Sequence, residues 1–112
     1  MLGAINLDIR AGSAPECLEG LPPPQRIFMG GGFSSPEATR ILEKCIKSLP
    51  RGGRFVASCV LLDSFMLCRK FLDSLGWPVE VFQLQASNVA QMGPGKHFAP
   101  MNPVFVLATQ KP

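Results

Sequence analysis

The chain has 112 residues and a mass of 12.1 kDa, which is one small domain at most. Hydrophobic residues make up 46%, charged residues 17%, and mean hydropathy is +0.21, a balance that excludes a disordered chain. The net charge of +3 favours anionic ligands slightly and is too small to argue for nucleic acid.

The start, Met1–Asp8, lacks the basic and then apolar regions of a signal peptide, and no apolar stretch nears the roughly 20 residues of a bilayer span. No membrane is expected, and the expected location is the cytoplasm. Cys17, Cys45, Cys59 and Cys68 form no C-x-x-C clip, so no metal site is expected, and Cys45, Cys59 and Cys68, on apolar helix or strand positions, read as buried reduced thiols.

Ile5–Ile9 alternates apolar and polar residues and predicts a short strand. Ser13-Ala14-Pro15-Glu16 has the spacing of a capping box, so a short helix should run to about Leu18 or Glu19, stopped by Pro22-Pro23-Pro24. Arg26-Ile27-Phe28-Met29 predicts a very short buried strand running into Gly30-Gly31-Gly32. Ser35 then caps a helix with Pro36 at its first position. Ala38, Ile41, Leu42, Cys45, Ile46 and Leu49 form its inner face, and Glu43 and Lys47 are placed to pair on the outer one.

Pro50-Arg51-Gly52-Gly53 predicts a turn, and Arg54–Leu62 reads as a strand buried on both faces. Asp63 should cap a second helix, with Phe65, Cys68, Phe71, Leu72 and Leu75 inward and Gly76 past its end. Val79–Ala86 is a further strand whose alternation slips at Val81-Phe82, which predicts a bulge. Ser87–Pro103 shows no pattern and is expected to be a long functional or mobile loop. Val104–Thr109 closes the chain as a last strand. This alternation predicts an α/β fold, a mostly parallel sheet with helices on both faces and an antiparallel final pair.

Three features could carry chemistry. Gly30-Gly31-Gly32 lies between a strand and a helix, where backbone can approach a ligand. Gly30-x-Gly32-x-x-Ser35 falls short of the dinucleotide fingerprint, because its third position is Ser and no acid lies about 20 residues on. Gly12–Glu16 is either a helix cap or part of a site. Lys96 and His97 sit together in the long loop, without partners for a metal.

Five segments then fall in a telling order: Gly12-Ser13-Ala14-Pro15-Glu16, Arg26–Gly32, Pro50–Ala57, Val60-Leu61-Leu62-Asp63 and Asn102-Pro103-Val104. Together they resemble the CbiT-type decarboxylating precorrin methyltransferases of cobalamin synthesis, which are also the C-terminal half of the fused precorrin-6Y C5,15-methyltransferase. The family pattern reads G-D-A-P-E, an apolar strand into I-G-G-(S/G), L-x-P-G-G-R-x-V, a V-T-L-E-like stretch, and N-P-V. The resemblance covers nearly the whole chain.

It implies a Rossmann-like class I methyltransferase sheet of which residues 1–112 form a single partial domain, the third to seventh strands. The glycine-rich loop after the family's first strand and the acid ending its second have no counterpart here. The resemblance therefore implies a C-terminal portion of a longer protein. It implies S-adenosylmethionine (SAM) as cofactor, with Ser13 and Ala14 against the adenine and Gly30 and Gly31 beside the transferring methyl. Ser13 replaces the family's acid at that position. Gly32, Val60 and Leu61 would meet the substrate, and the charge of Lys96 and His97 suits its carboxylates.

The implied reaction is methyl transfer to C15 of a corrin precursor with loss of carboxylate from the C12 acetate. The implied partners are that tetrapyrrole substrate, and either further copies of the chain or the C5-methylating activity. Two alternatives remain at this level: a non-catalytic remnant or assembly subunit of the same fold, and a small nucleotide-binding module using Gly30–Gly32.

Overall fold

The computed structural model describes residues 6–112. Four strands form the main sheet: β1 (Arg26–Met29), β2 (Arg54–Cys59), β3 (Val79–Leu84) and β6 (Val104–Gln110), in the order β1-β2-β6-β3. β1 and β2 are parallel, and β6 runs antiparallel to both β2 and β3. The mixed α/β sheet and its antiparallel last strand are as the alternation predicts.

Helix α1 (Ala38–Ser48) follows β1, and α2 (Leu62–Ser74) follows β2. The N-cap of α1 is Glu37 rather than Ser35, and no side-chain cap bond is made; Ser35 lies in the turn before the helix, where its Oγ accepts the Glu37 N–H at 3.1 Å. Ala38, Ile41, Leu42, Cys45 and Ile46 are its buried face. The Pro50–Gly53 turn carries its positive φ, +82°, at Gly52, and the Gly53 N–H returns to the Pro50 carbonyl at 2.9 Å. That is a type II turn, with glycine where the turn needs φ above zero. Lys111 ties the last strand to α1 by donating from Nζ to the carbonyls of Ile46 and Leu49 at 3.1 and 2.8 Å. These are carbonyls the helix end leaves unpaired, and the cation suits the negative end of the helix dipole.

Both helices lie on one face of the sheet, which corrects the expectation of helices on both. The register puts Ile27, Phe55 and Thr109 in one row and Met29, Ala57 and Leu107 in the next. The apolar members of these rows pack with Leu42, Cys68 and Leu72 in one core. The cause is topological. Right-handed crossovers from β1 to β2 and from β2 to β3 step the same way across the sheet, so their helices fall on the same side.

Several boundaries also differ. Asn6–Ile9 forms no strand, and Leu7 and Ile9 are exposed; Ile5 lies outside the described residues. Alternation makes a strand only where a ladder partner exists, and none of the six strands adjoins this segment. The short helix is a 3-10 turn, Glu16–Leu18, without a side-chain cap, so the capping box is not formed. β2 ends at Cys59, leaving Val60, Leu61 and Leu62 exposed, and Leu61 rather than Asp63 precedes α2. β3 pairs with β6 without a bulge; its alternation slips because an edge strand with Val81 and Phe82 both exposed has no single buried face. Glu43 and Lys47 are not paired among the described residues; Lys44 instead reaches Glu19 at 3.6 Å.

The expected long loop is a hairpin, β4 (Ser87–Met92) and β5 (Gly95–Pro100). Gly93, with φ +56°, and Pro94 make its two-residue turn, and positive φ at the first position alone is the II′ pattern. The Met101 N–H closes the base on the Ala86 carbonyl at 2.9 Å. The hairpin joins no other strand of the described residues and stands away from the body. The radius of gyration, 17.0 Å, reflects this arm; a compact chain of this length would have about 13 Å.

Two predictions follow from this packing. A Cβ at Gly53 would lie 2.9 Å from both the Leu49 side chain and the Pro50 carbonyl oxygen. Gly53→Ala should therefore cost about 1–3 kcal/mol of stability in urea titration, as overpacking does. Burial, with the Cys59 thiol nearby as a second cause, pushes the Cys68 thiol up to about 12. An unfolded thiol loses its proton near pH 8.5. Above that pH the unfolded chain holds fewer protons than the native one, so stability is full below it and falls as pH rises toward 12. Melting temperatures measured across that range should drop, and in native protein at pH 8 a thiol reagent should label half-exposed Cys17 well before Cys45, Cys59 and Cys68.

Candidate active site at the carboxyl edge

β1 and β2 run the same way and end at one edge of the sheet, where open parallel sheets bind ligands. Gly30–Gly32 leave the end of β1 there, and Val60 and Leu61 leave the end of β2. β3 also ends at this edge and β6 begins there, so the β4–β5 arm springs from the same side. The strand ends thus place Gly30, Gly31, Gly32, Val60 and Leu61 at one edge, and Lys96 and His97 lie on the arm that springs from it.

A cleft of about 860 Å³ opens beside β1, and Ser13, Ala14, Gly30, Gly31, Gly32 and Ser35 are among the residues that line it. That volume suits a small-molecule ligand. Gly32 has φ +87°, a conformation a side chain would strain, and a Cβ on Gly31 would meet nothing within 4 Å. The loop therefore presents bare backbone to the cleft. Ala14 packs against the core, while Ser13 is exposed and accepts the Cys17 N–H on its backbone carbonyl at 2.9 Å. Pro15 is the N-cap of the 3-10 turn and no side-chain cap bond is made there. Exposed ion pairs of Glu16 with Arg40 and Glu19 with Lys44, each at 3.6 Å, fasten this segment to α1.

The other four candidates do not line this cleft. Val60 and Leu61 are 54% and 59% exposed at the neighbouring strand end, an apolar step facing solvent. Lys96 and His97 lie on β5, with His97 opposite Ala90. The His97 Nδ1 is enclosed and has no hydrogen-bond partner among the described residues.

Sequence reasoning missed several lining residues, among them Leu21, Pro22–Pro24, Phe28 and Lys47. The triple proline reads as a helix stop, and its rigid wall over the cleft has no signature of its own. Cys45 also reaches the cleft, and burial raises its thiol above the usual range, so it is neutral at physiological pH. Among the described residues no group of three His, Cys, Asp or Glu could hold a metal. The arrangement can grip and orient a ligand with backbone, a hydroxyl and apolar walls. A second cleft, about 650 Å³, opens by Arg51, Arg54 and Lys111 at the opposite edge, where Lys111 is already engaged by α1. Among the described residues, no helix is long and apolar enough to cross a membrane.

A family model described as a precorrin methyltransferase domain matches residues 1–111. The chain is 35% identical over 107 residues to the cobalt-precorrin-6B C(15)-methyltransferase (decarboxylating) of Salmonella typhimurium, covering 95% of this chain and 54% of that protein. It resembles the crystal structure of precorrin-6y C5,15-methyltransferase from Geobacter metallireducens at 30% identity and a TM-score of 0.83, over 96% of this chain and 56% of that one. The precorrin 8W decarboxylase structure from Methanobacterium thermoautotrophicum gives 27% identity and a TM-score of 0.82, over 95% and 56%. The chain spans about half the length of the curated relatives it matches. With its fold, its ordered motifs and these matches in agreement, the chain belongs to the precorrin methyltransferase family.

Proposed function

We propose that this chain supplies the carboxyl-edge part of a SAM-dependent methyltransferase site, which methylates C15 of a corrin precursor with loss of carboxylate from its C12 acetate. One observation carries this reading. Ser13, Ala14, Gly30, Gly31 and Gly32, distant in sequence, line one cleft beside β1.

The cleft fits the cofactor in character. Its Gly31 backbone is unshielded, its Ser13 is exposed, and its walls are largely apolar. Ser13 would hydrogen-bond the adenine, with Ala14 against the ring, and Gly30 and Gly31 would hold the methionine end. SAM supplies an electrophilic methyl group on a sulfonium. Because Cys45 is neutral and no carboxylate lines the cleft, the chain contributes alignment rather than a nucleophile. Gly32, Val60 and Leu61 would seat the macrocycle at the strand ends, and Lys96 and His97 on the arm would bind its carboxylates.

Calorimetric titration of the 112-residue chain with SAM should show saturable binding. The same experiment on NAD should give none; the reverse result would overturn the reading in favour of a nucleotide module. Gly31→Ala adds a methyl group to open space, so its melting temperature should match the parent while SAM affinity falls tenfold or more. Replacing Lys96 and His97 together by Ala should weaken binding of the corrin precursor several-fold, followed by its visible absorbance, and leave SAM affinity unchanged.

A further inference from the structure

The segment Ser13–Pro24 walls the cleft as a strap between two fixed ends. Ala14, packed on the core, and the buried Pro15 anchor one end, and β1 begins at Arg26 beyond the other. Between them the strap is thinly held. Its 3-10 turn, Glu16–Leu18, buries no residue. Among the described residues its backbone hydrogen bonds stay within the segment: the N–H groups of Cys17, Leu18, Glu19 and Leu21 donate to the carbonyls of Ser13, Pro15, Glu16 and Leu18. The polar links to the rest of the described residues are two ion pairs, Arg40 Nη2 to Glu16 Oε1 and Lys44 Nζ to Glu19 Oε1, each at 3.6 Å.

The two pairs match in spacing. A 3-10 turn repeats every three residues, so side chains at i and i+3 eclipse. Glu16 and Glu19, at the start and the C-cap of the turn, therefore share one side of the strap. Arg40 and Lys44 lie four apart on α1 and share one face of that helix. Two acids at the 3-10 repeat thus meet two bases at the α repeat. Arg40 is steadied on its own helix by donating from Nη1 to Glu37.

Ser13, Ala14, Leu18 and Leu21 line the cleft from the strap, and Ile41 and Cys45 line it from α1. Glu16, Glu19 and Arg40 do not line it. These charges therefore set the distance between two walls without touching a ligand between them. Exposed pairs are individually weak and sensitive to salt, so a strap with no other polar tie shifts when they are lost.

We infer that the pairs Glu16–Arg40 and Glu19–Lys44 form an electrostatic clamp that holds the strap at the spacing the ligand needs. Glu16, Glu19 and Arg40 are positioning residues for the cleft. That the ligand is SAM rests on the function proposed above; that the clamp sets the cleft does not. Opening the clamp withdraws Ser13 and Ala14 from the adenine and uncovers Cys45, now 6% exposed.

The test reverses one charge in the 112-residue chain. Arg40→Glu faces Glu16 with a like charge, and adding Glu16→Arg restores an opposite pair at the parent's net charge. The first readout needs no cofactor: the rate at which iodoacetamide, a neutral reagent, alkylates Cys45 in native protein, followed by mass spectrometry. Arg40→Glu should raise that rate about fivefold, the upper end for one exposed pair, and the double variant should restore the parent's rate. In the parent, about 1 M sodium chloride, which screens charges beyond about 3 Å, should raise it too. Cys59 and Cys68, in the core and outside the cleft, are the control, since unfolding would expose all three thiols together. The second readout is SAM affinity by calorimetry, which should fall about fivefold in Arg40→Glu and recover in the double variant.

An unchanged Cys45 rate in Arg40→Glu overturns the inference. So does a raised rate that the double variant fails to restore, or one that Cys59 and Cys68 follow in step. Equal SAM affinity in the parent and Arg40→Glu overturns it as well. A Cys45 rate that follows the charges in a chain that binds no SAM keeps the clamp and removes the proposed function. SAM bound alike by every variant, with the Cys45 rate unmoved, does the reverse.

Discussion

The structure depends on one apolar layer, the side chains of β2 and β6 pressed against α1 and α2. Phe55, Leu42, Leu72, Leu107 and Cys68 are its fully buried members. Each of the large ones stabilises the fold by about 1.5–3 kcal/mol relative to exposure. β2 lies in the middle, holding β1 on one side and β6 on the other. Every residue of the candidate site is placed by reference to it. Gly30–Gly32 emerge where they do because Met29 is in register with Ala57, and Val60 and Leu61 emerge because Cys59 ends the same ladder. The proximity of these two segments follows from the strand pairing, without any direct bond between them.

Where burial is one-sided and local, the sequence was legible. The 3-4 spacing of α1 holds because the helix buries a single stripe, although the helix starts at Ala38, three residues after the Ser35 that the sequence offers as its cap. Where an element's fate depends on a distant partner, the same patterns misled. Ile5–Ile9 alternates as well as any strand, yet Asn6–Ile9 finds no ladder. Ser87–Met92 is a strand although it shows no alternation, because neither of its faces is buried and selection for a buried face is what writes the alternation. Helices on both faces were inferred from the order of elements alone, and that order does not reveal the direction in which each crossover steps.

The candidate site was legible in a similar, partial way. Glycines after a strand advertise close backbone approach, and both Gly32 with its φ of +87° and Gly31 with its empty Cβ position bear that chemistry. Ser13 was readable as a cap or as a ligand group, and the structure removes the first reading, because the 3-10 turn has Pro15 at its N-cap and no side-chain cap bond. The proline wall and Phe28 were not readable. Proline carries one strong local meaning, that a helix stops, and nothing in a single chain says that the stiff segment after the stop folds back over a strand edge.

The two faces of the sheet give the last step. On the helix side Phe55, Ala57 and Leu107 are wholly enclosed, while one residue away along β1 and β3 Phe28 and Phe82 stand largely in water. Apolar side chains on a strand gain nothing from solvent, and removing an aromatic ring from water is worth a few kcal/mol at most sites. A sheet built for water on one side would carry polar residues there, as antiparallel sheets with one open face do. This face is mixed: Phe28, Val56 and Ala108 share their row with Glu80, and Val106 and Phe82 share theirs with Ser58. Phe28 also lines the cleft beside β1, so one exposed ring belongs to both the sheet face and the candidate site.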